Sequence, residues 1–387
     1  VIATPAAARV ADDIRRHGPV PFSRVVERAL YDPEAGFYEV GGRSGRREGH
    51  FVTSPEVGAL FGAVVARMLD EQWRALGEPP VFVVVEPGAG PGTLCRTVLA
   101  ATPACSPALR YVLVERSAAQ RRLHAERLRL EDPALAFPPV DPDTEVPVAE
   151  APEGPICVSL AAMPRLPGPA VVLANELLDN LPFGLAERRG GSWCEVRVDL
   201  EPGGAGTDGG TRLVERLVPF ADDTAALLER LAPGAAEGAR APVQAAARDW
   251  LRDALGVAGP GGRVVVFDYV STTAEMAARP QQEWLRTYRG HRRGGPPLAD
   301  LGTQDITCEV AVDQLALVRE PDARTTQAEW LRAHGVDELV EEARRAWRER
   351  AHIGDLAAVA ARSRVTEADA LLDPAGLGGF AVLEWRP

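Results

Sequence analysis

The chain of 387 residues contains no lysine, so all 43 of its basic side chains are arginines. That absence removes several chemistries at once. A P-loop needs a lysine on the nucleotide phosphates, a Schiff-base enzyme needs an amine, and the catalytic lysine of protein kinases has no counterpart. Against the arginines stand 55 Asp and Glu, for a net charge of −12. So acidic a chain is poorly matched to a nucleic-acid backbone, and no nucleic-acid partner is expected. The five cysteines (95, 105, 157, 194 and 308) are scattered and form no C-x-x-C pair. Their spacing speaks against a disulfide framework or zinc knuckle and predicts buried, reduced thiols. The six histidines show no metal-ligand spacing, so no metal is expected. The longest relevant apolar runs, such as Val81 to Val85, are strand-sized and far too short to span a bilayer. No membrane insertion is expected. Asp12, Asp13, Arg15 and Arg16 arrive before any useful apolar core. No signal peptide is therefore expected, and the expected location is cytoplasmic.

With 46% apolar and 25% charged residues, the composition is that of a globular protein of two or three units. Residues 1–76 read as helices and loops. A helical pattern over 14–30 is interrupted at Pro19 and Pro21. A second helix is expected to open at Ser54-Pro55-Glu56, with Ser54 as its N-cap, and to run to about Leu76. Then strands and helices alternate. Buried strands are expected at 81–86, 110–115, 156–160, 170–174 and 263–269, with helices at 93–101 and 118–130, which implies an α/β fold with a parallel sheet. A hairpin is expected from 193–198 and 211–218, a long polar loop over 280–305, helices from 327 to 362, and a last strand over 380–385.

Two segments carry chemistry. The first is Glu86-Pro-Gly88-Ala89-Gly90-Pro-Gly92, ending one buried strand and opening a helix, with Glu115 at the end of the next strand. Glycines there admit a ligand close to the backbone, the helix N-terminus offers free N–H groups, and a carboxylate in the Glu115 position suits ribose hydroxyls. Glycine spacing alone would fit any tight strand-to-helix turn. The whole constellation reads as an S-adenosylmethionine site. The second is Asn175-Glu176-Leu-Leu-Asp179-Asn180-Leu-Pro182, after the strand at 170–174. Ligands of open α/β sheets sit beyond the carboxyl ends of strands, so Asn175 and Glu176 are expected at a cleft floor. Glu176 and Asp179 can share one side of a helical turn. Paired carboxylates at a methyl-donor site suit a cationic nitrogen such as a guanidinium; a plain acidic helix cap is the ordinary alternative. His124 and His334, on charged helices, are expected to be solvated. Trp250, Trp330 and Trp347 are expected to be packing anchors.

Taken together these blocks resemble the MidA-like S-adenosylmethionine-dependent methyltransferases. The resemblance also runs through 30–38 (Leu-Tyr-Asp-Pro-Glu-Ala-Gly-Phe-Tyr), 51–62, Asp268-Tyr269, Arg289-Gly290-His291, Asp305-Ile-Thr307 and 372–378. It departs from the family pattern at His50, where an acid is usual, and at Val270, where glycine is usual. It implies a Rossmann-like, seven-stranded class I methyltransferase sheet with an N-terminal helical cover. The implied division is 1–76 cover, 77–190 cofactor-binding core, 191–260 hairpin and helical insertion, and 261–387 completion of the sheet with a substrate loop. Gly88, Ala89, Gly90 and Gly92, led by Glu86, would approach the methionine part of the cofactor. Glu115 would hold the ribose, and Ser159 and Leu160 would border the adenine. Thr53, Pro55 and Glu56 would form a lid, while Asn175, Glu176, Asp179 and His291 would face the transferring methyl. S-adenosyl-L-homocysteine would be the product. By analogy with the mitochondrial member, which acts on an arginine of a complex I subunit, the implied acceptor is a protein arginine, with a respiratory-complex subunit one candidate. A small-molecule O- or N-methyltransferase and a cofactor-binding assembly factor without turnover stand as alternatives. A homodimer is left open.

Overall fold

A computed structural model describes residues 2–41, 53–137, 152–166, 168–202, 211–290 and 292–387. Residues 42–52, with His50, residues 138–151, residues 203–210, which join the two runs of the expected hairpin, and His291 fall outside them. The chain divides into two compact units, each gathered from three stretches. The first holds Val1–Phe51, Glu176–Arg252 and Asp268–Glu320; the second holds Val52–Asn175, Asp253–Phe267 and Pro321–Pro387.

The second unit is built on a sheet of seven strands: β1 (Phe82–Pro87), β2 (Leu109–Val114), β3 (Ile156–Leu160), β4 (Ala170–Asn175), β5 (Arg263–Asp268), β6 (Ala323–Thr326) and β7 (Ala381–Trp385). Their spatial order is β6-β7-β5-β4-β1-β2-β3. Strands β1 to β5 pair in parallel, and β6 pairs antiparallel with β7. The order reverses beside β1, between β4 and β2, which in an open α/β sheet is where ligands bind. The strands are near-continuous apolar runs because helices cover the sheet. The core joins Val84, Leu113, Leu173 and Val265 to Leu60, Phe61, Val64 and Met68 of α1 (Ala59–Ala75). Phe267 meets Phe61 and Trp330 edge-to-face, with centroids 5.2 and 4.9 Å apart. Gly62 on α1 lets that helix lie against α2 (Thr93–Ala100), for a Cβ there would stand 2.2 Å from the Thr97 hydroxyl.

The first unit carries an antiparallel sheet in which Ser192–Glu201 pairs with Arg212–Pro219 and Gly184–Arg189, and the latter pairs with Arg240–Val243. Phe22, Val25, Phe183, Leu185, Val196 and Trp284 fill its core.

Two expectations need correction here. The segment 280–305 is not one long loop. Gln281–Trp284 makes a helical turn and Leu285–Arg289 a strand, which pairs with Arg292–Arg293 and with Asp305–Cys308. The alternation of buried Leu285 and Thr287 with more open neighbours is the strand signal, hidden among arginines and glycines. The helix expected from Ser54 to Leu76 is two helices, Ser54–Val57 and α1, separated at Gly58. Its N-cap is Thr53, whose N–H the Glu56 carboxylate accepts at 3.3 Å in a capping box. Ser54 lies inside the helix, 2.8 Å from Gln327 Oε1.

Candidate active site

The glycine segment leaves β1 and enters α2 in the second unit, and its three glycines all have positive φ: 68° at Gly88, 52° at Gly90 and 77° at Gly92. Their surroundings differ. A Cβ on Gly90 would meet nothing within 4 Å, so the backbone faces open space there. One on Gly92 would stand 3.1 Å from Leu128 and 3.2 Å from Leu113, so Gly92 serves packing. Gly92 is also the N-cap of α2, whose first N–H groups lack intrahelical partners.

Glu115 follows β2 and braces this loop. Its carboxylate accepts the Gly90 N–H at 2.9 Å and the Ser117 N–H at 2.7 Å, while its own N–H bonds the Leu160 carbonyl at 3.0 Å. Glu86 turns inward. Only 5% exposed, it receives the Tyr111 hydroxyl at 2.7 Å, and burial pushes its pKa up to about 8.

His124, on α3 (Ala118–Arg127), is not solvated as its charged helix suggests. It is fully buried. One ring nitrogen lies 2.7 Å from the Gly90 carbonyl oxygen and the other 2.8 Å from the Ser159 hydroxyl. A carbonyl only accepts, so Nε2 carries the proton; burial holds the imidazole pKa below its ordinary value, so Nδ1 accepts from Ser159. The ring thus ties the glycine loop to the end of β3. Sequence inspection missed it because its neighbours are arginines; its fit in the i+4 row from Gln120, also buried, was the available signal. His334 is likewise mostly enclosed, against Trp330 with centroids 4.3 Å apart and 2.7 Å from Glu71. Trp330 is the packing anchor expected, and its Nε1–H donates to Glu384 at 2.6 Å.

Asn175 ends β4, in register with Phe267. Glu176 follows directly and adopts φ 49°, a left-handed conformation that costs a non-glycine residue about 1 kcal/mol or more. It therefore does not cap a helix. Leu178–Asn180 forms a single 3-10 turn, whose capping acid is Asp268. Asp268 accepts the N–H groups of Leu178 (2.9 Å), Asp179 (3.3 Å) and Tyr269 (2.9 Å).

Around this turn the first unit gathers buried carboxyls. A cavity of about 140 Å³ is lined by Glu176, Asp179, Tyr269, Trp284, Asp305 and Glu309, with Arg286, Tyr288, Thr307 and Cys308. Asp305 accepts from Tyr38 (3.1 Å), Asn180 (3.0 Å) and the Ile306 N–H (3.0 Å), all through Oδ1. Its Oδ2, like Oδ1 of Asp179, is buried with no hydrogen-bond partner among the described residues. The Trp284 indole N–H is in the same state. Burial raises Asp179 well above the carboxylate range, helped by the charges of Asp268, Asp305 and Glu176; it lifts Asp268 to about 7 and Asp305 to about 6. Glu309 is balanced by Arg279 at 2.6 Å and Arg286 at 3.1 Å. So Glu176 and Asp179 do meet in one pocket. Asp305, Tyr269 and Trp284 join them without having been singled out for the chemistry, and Asp268 holds the turn behind them. The pairing of Asp305 with Tyr288 across two strands is invisible to local spacing.

Among the described residues no cluster of His, Cys, Asp and Glu is arranged to hold a metal, and no helix is long and apolar enough to cross a membrane. A family model described as "Putative S-adenosyl-L-methionine-dependent methyltransferase" matches residues 64–329, over two thirds of the chain. The chain belongs to this family. Curated relatives include the Drosophila melanogaster protein arginine methyltransferase NDUFAF7 homolog, mitochondrial, 28% identical over 302 residues. That match takes in 76% of this chain and 65% of the fly protein. The Mus musculus protein of the same name is 25% identical over 322 residues, 79% of this chain and 68% of the mouse one. A Burkholderia thailandensis crystal structure, bound to S-adenosyl-homocysteine, aligns with a TM-score of 0.77 and 27% identity over 99% of this chain and 92% of that one. The family's cofactor fits the residues present: Gly90 faces open space, and the Glu115 carboxylate lies beside it.

Proposed function

We propose that this chain transfers the methyl group of S-adenosylmethionine to a guanidinium nitrogen of an arginine in a protein acceptor. One observation carries the choice of acceptor: the cavity beside Glu176 is lined by four carboxyls, and two of their buried oxygens lack partners among the described residues. Buried acids in that state call for a cation. The names of the curated relatives agree with that acceptor.

In the second unit, Gly88 and Gly90 would admit the methionine part of the donor, Glu115 would accept the ribose hydroxyls, and His124 would hold the loop in place. When bound, the donor supplies an activated methyl group on a sulfonium. The protein's own task is alignment and exclusion of water. A guanidinium stays protonated in water, so its nitrogens are poor nucleophiles. Carboxylates on its far nitrogens draw the positive charge toward themselves and leave lone-pair character on the nitrogen to be methylated. The proton that nitrogen then loses can pass to the carboxylate of Glu176, which lines the same cavity.

The test uses donor labelled in the methyl group, a lysate from a deletion strain and the full chain. Base-stable label in one protein, located on arginine, is the expected result. Glu176→Gln should abolish it with donor affinity unchanged. Label confined to small molecules, or full activity in that variant, would refute the proposal.

A further inference from the structure

The carboxyls around the cavity fall into two kinds. Asp268 is satisfied, since its two oxygens take three backbone N–H groups. Glu309 is satisfied by Arg279 and Arg286. Asp179 and Asp305 are not. Asp179 is 4% exposed and Asp305 fully enclosed, yet each keeps one oxygen with no partner among the described residues, and both line the same cavity. Arg286, which lines the same cavity, is paired with Glu309. Leaving two such buried acceptors bare is costly unless a ligand meets them.

We propose that Asp179 and Asp305 form a two-pronged anionic clamp that holds the acceptor guanidinium through one oxygen of each. This deepens the guanidinium assignment above and rests on it. It adds Asp305, on a strand far along the chain, as a substrate-binding residue, and it makes Glu176 a neighbour of the clamp and not one of its prongs. A planar guanidinium has five N–H donors in a fixed fork and can serve two oxygens from separate residues at once; an ammonium is a point charge and has no such geometry. The other oxygen of Asp305 has its own task, which separates fold from binding. Oδ1 accepts from Tyr38, Asn180 and Ile306, and an asparagine in its place keeps a carbonyl oxygen for those three bonds. What Asp305→Asn removes is the second acceptor.

The probe is methylguanidinium chloride, titrated calorimetrically into the whole protein saturated with S-adenosyl-homocysteine. Wild type is expected to bind it, and to bind n-butylammonium more weakly. Asp305→Asn and Asp179→Asn should each weaken binding roughly tenfold or more, with the affinity for S-adenosyl-homocysteine unchanged. The melting temperature of empty Asp305→Asn should be no lower than wild type, because a buried acid among like charges has been removed. Equal methylguanidinium binding by wild type and Asp305→Asn would overturn the clamp and leave the guanidinium assignment standing. A lower melting temperature with parallel loss of S-adenosyl-homocysteine binding would also overturn it, showing a structural role. No binding by wild type would overturn the guanidinium assignment itself.

Discussion

Replacing His124 with leucine should cost stability and loosen the glycine loop. The ring is fully buried and makes bonds of 2.7 Å to the Gly90 carbonyl and 2.8 Å to the Ser159 hydroxyl. Each such bond nets about 1 kcal/mol, and a buried partner left bare costs about 1 kcal/mol more, so His124→Leu should lose about 2–4 kcal/mol. Gly90 is also where the loop faces open space, so affinity for S-adenosylmethionine should fall with stability. Glutamine offers an amide N–H to Gly90 and a carbonyl to Ser159, and should restore both at neutral pH. It should also remove an acid sensitivity. Burial holds the folded-state pKa of His124 below the ordinary 6.5. As pH falls, the unfolded chain takes up that proton first, so its term in stability is full above about 6.5 and is lost as pH drops through that value. The slope is at most about 1.4 kcal/mol per pH unit and ends once the folded protein also protonates. Buried Asp268 and Asp305, with raised pKa values, tilt the protein the opposite way. The measurement is therefore the difference between wild type and His124→Gln in urea unfolding at pH 7.5 and 5.5. A gap that opens in favour of His124→Gln at the lower pH is expected. Parallel slopes, or a His124→Leu variant with wild-type stability and donor affinity, would refute the reasoning.

Glu86→Gln should be more stable than wild type at pH 7, since folding there forces a proton back onto a carboxyl that the unfolded chain has already lost. Because that pKa is raised on folding, the gap in favour of Glu86→Gln should widen as pH rises from about 5 towards 8 and level off above it, which unfolding curves from pH 5 to 9 would show. Gly90→Ala and Gly92→Ala should separate binding from folding. At Gly90 the added methyl meets open space, so a backbone cost of about 1–2 kcal/mol should accompany at least a tenfold loss of donor affinity by calorimetry. At Gly92 it also presses on Leu113 and Leu128, so the melting temperature should fall further.

The parts of the molecule legible from sequence are those with local causes. Strands β1, β2, β4 and β5 announce themselves as runs of β-branched and aliphatic residues, and the glycine loop by residues that must take positive φ. Pairing Ser192–Glu201 with Arg212–Pro219 needs only two neighbouring runs. What was not legible depends on partners distant in the chain. His124 is surrounded in sequence by arginines, and only the carbonyl of Gly90 and the hydroxyl of Ser159 make it part of the site. Asp268 caps a turn about ninety residues before it. Asp305 reaches the pocket because Asp305–Cys308 pairs with Leu285–Arg289, a strand whose own alternation is masked by polar residues.

Three buried or half-buried side chains at the glycine loop and two carboxyls of the cavity in the first unit are treated in opposite ways. At the glycine loop Glu86, His124 and Glu115 are each engaged. Glu86 takes the hydroxyl of Tyr111, His124 has one partner on each nitrogen, and Glu115 takes two backbone N–H groups. Such a network fixes a backbone that must present its N–H groups to a ligand without rearrangement, and rigidity there lowers the cost of binding. In the carboxyl-lined cavity of the first unit such groups are left open. Asp179 and Asp305 each hold back an oxygen, Trp284 an N–H, and Glu176 sits in a strained left-handed conformation. All of these lower the stability of the empty protein and are recovered only when a ligand supplies what is missing. Stabilising the pocket with apolar or neutral residues should therefore be easy, and should cost substrate affinity in proportion.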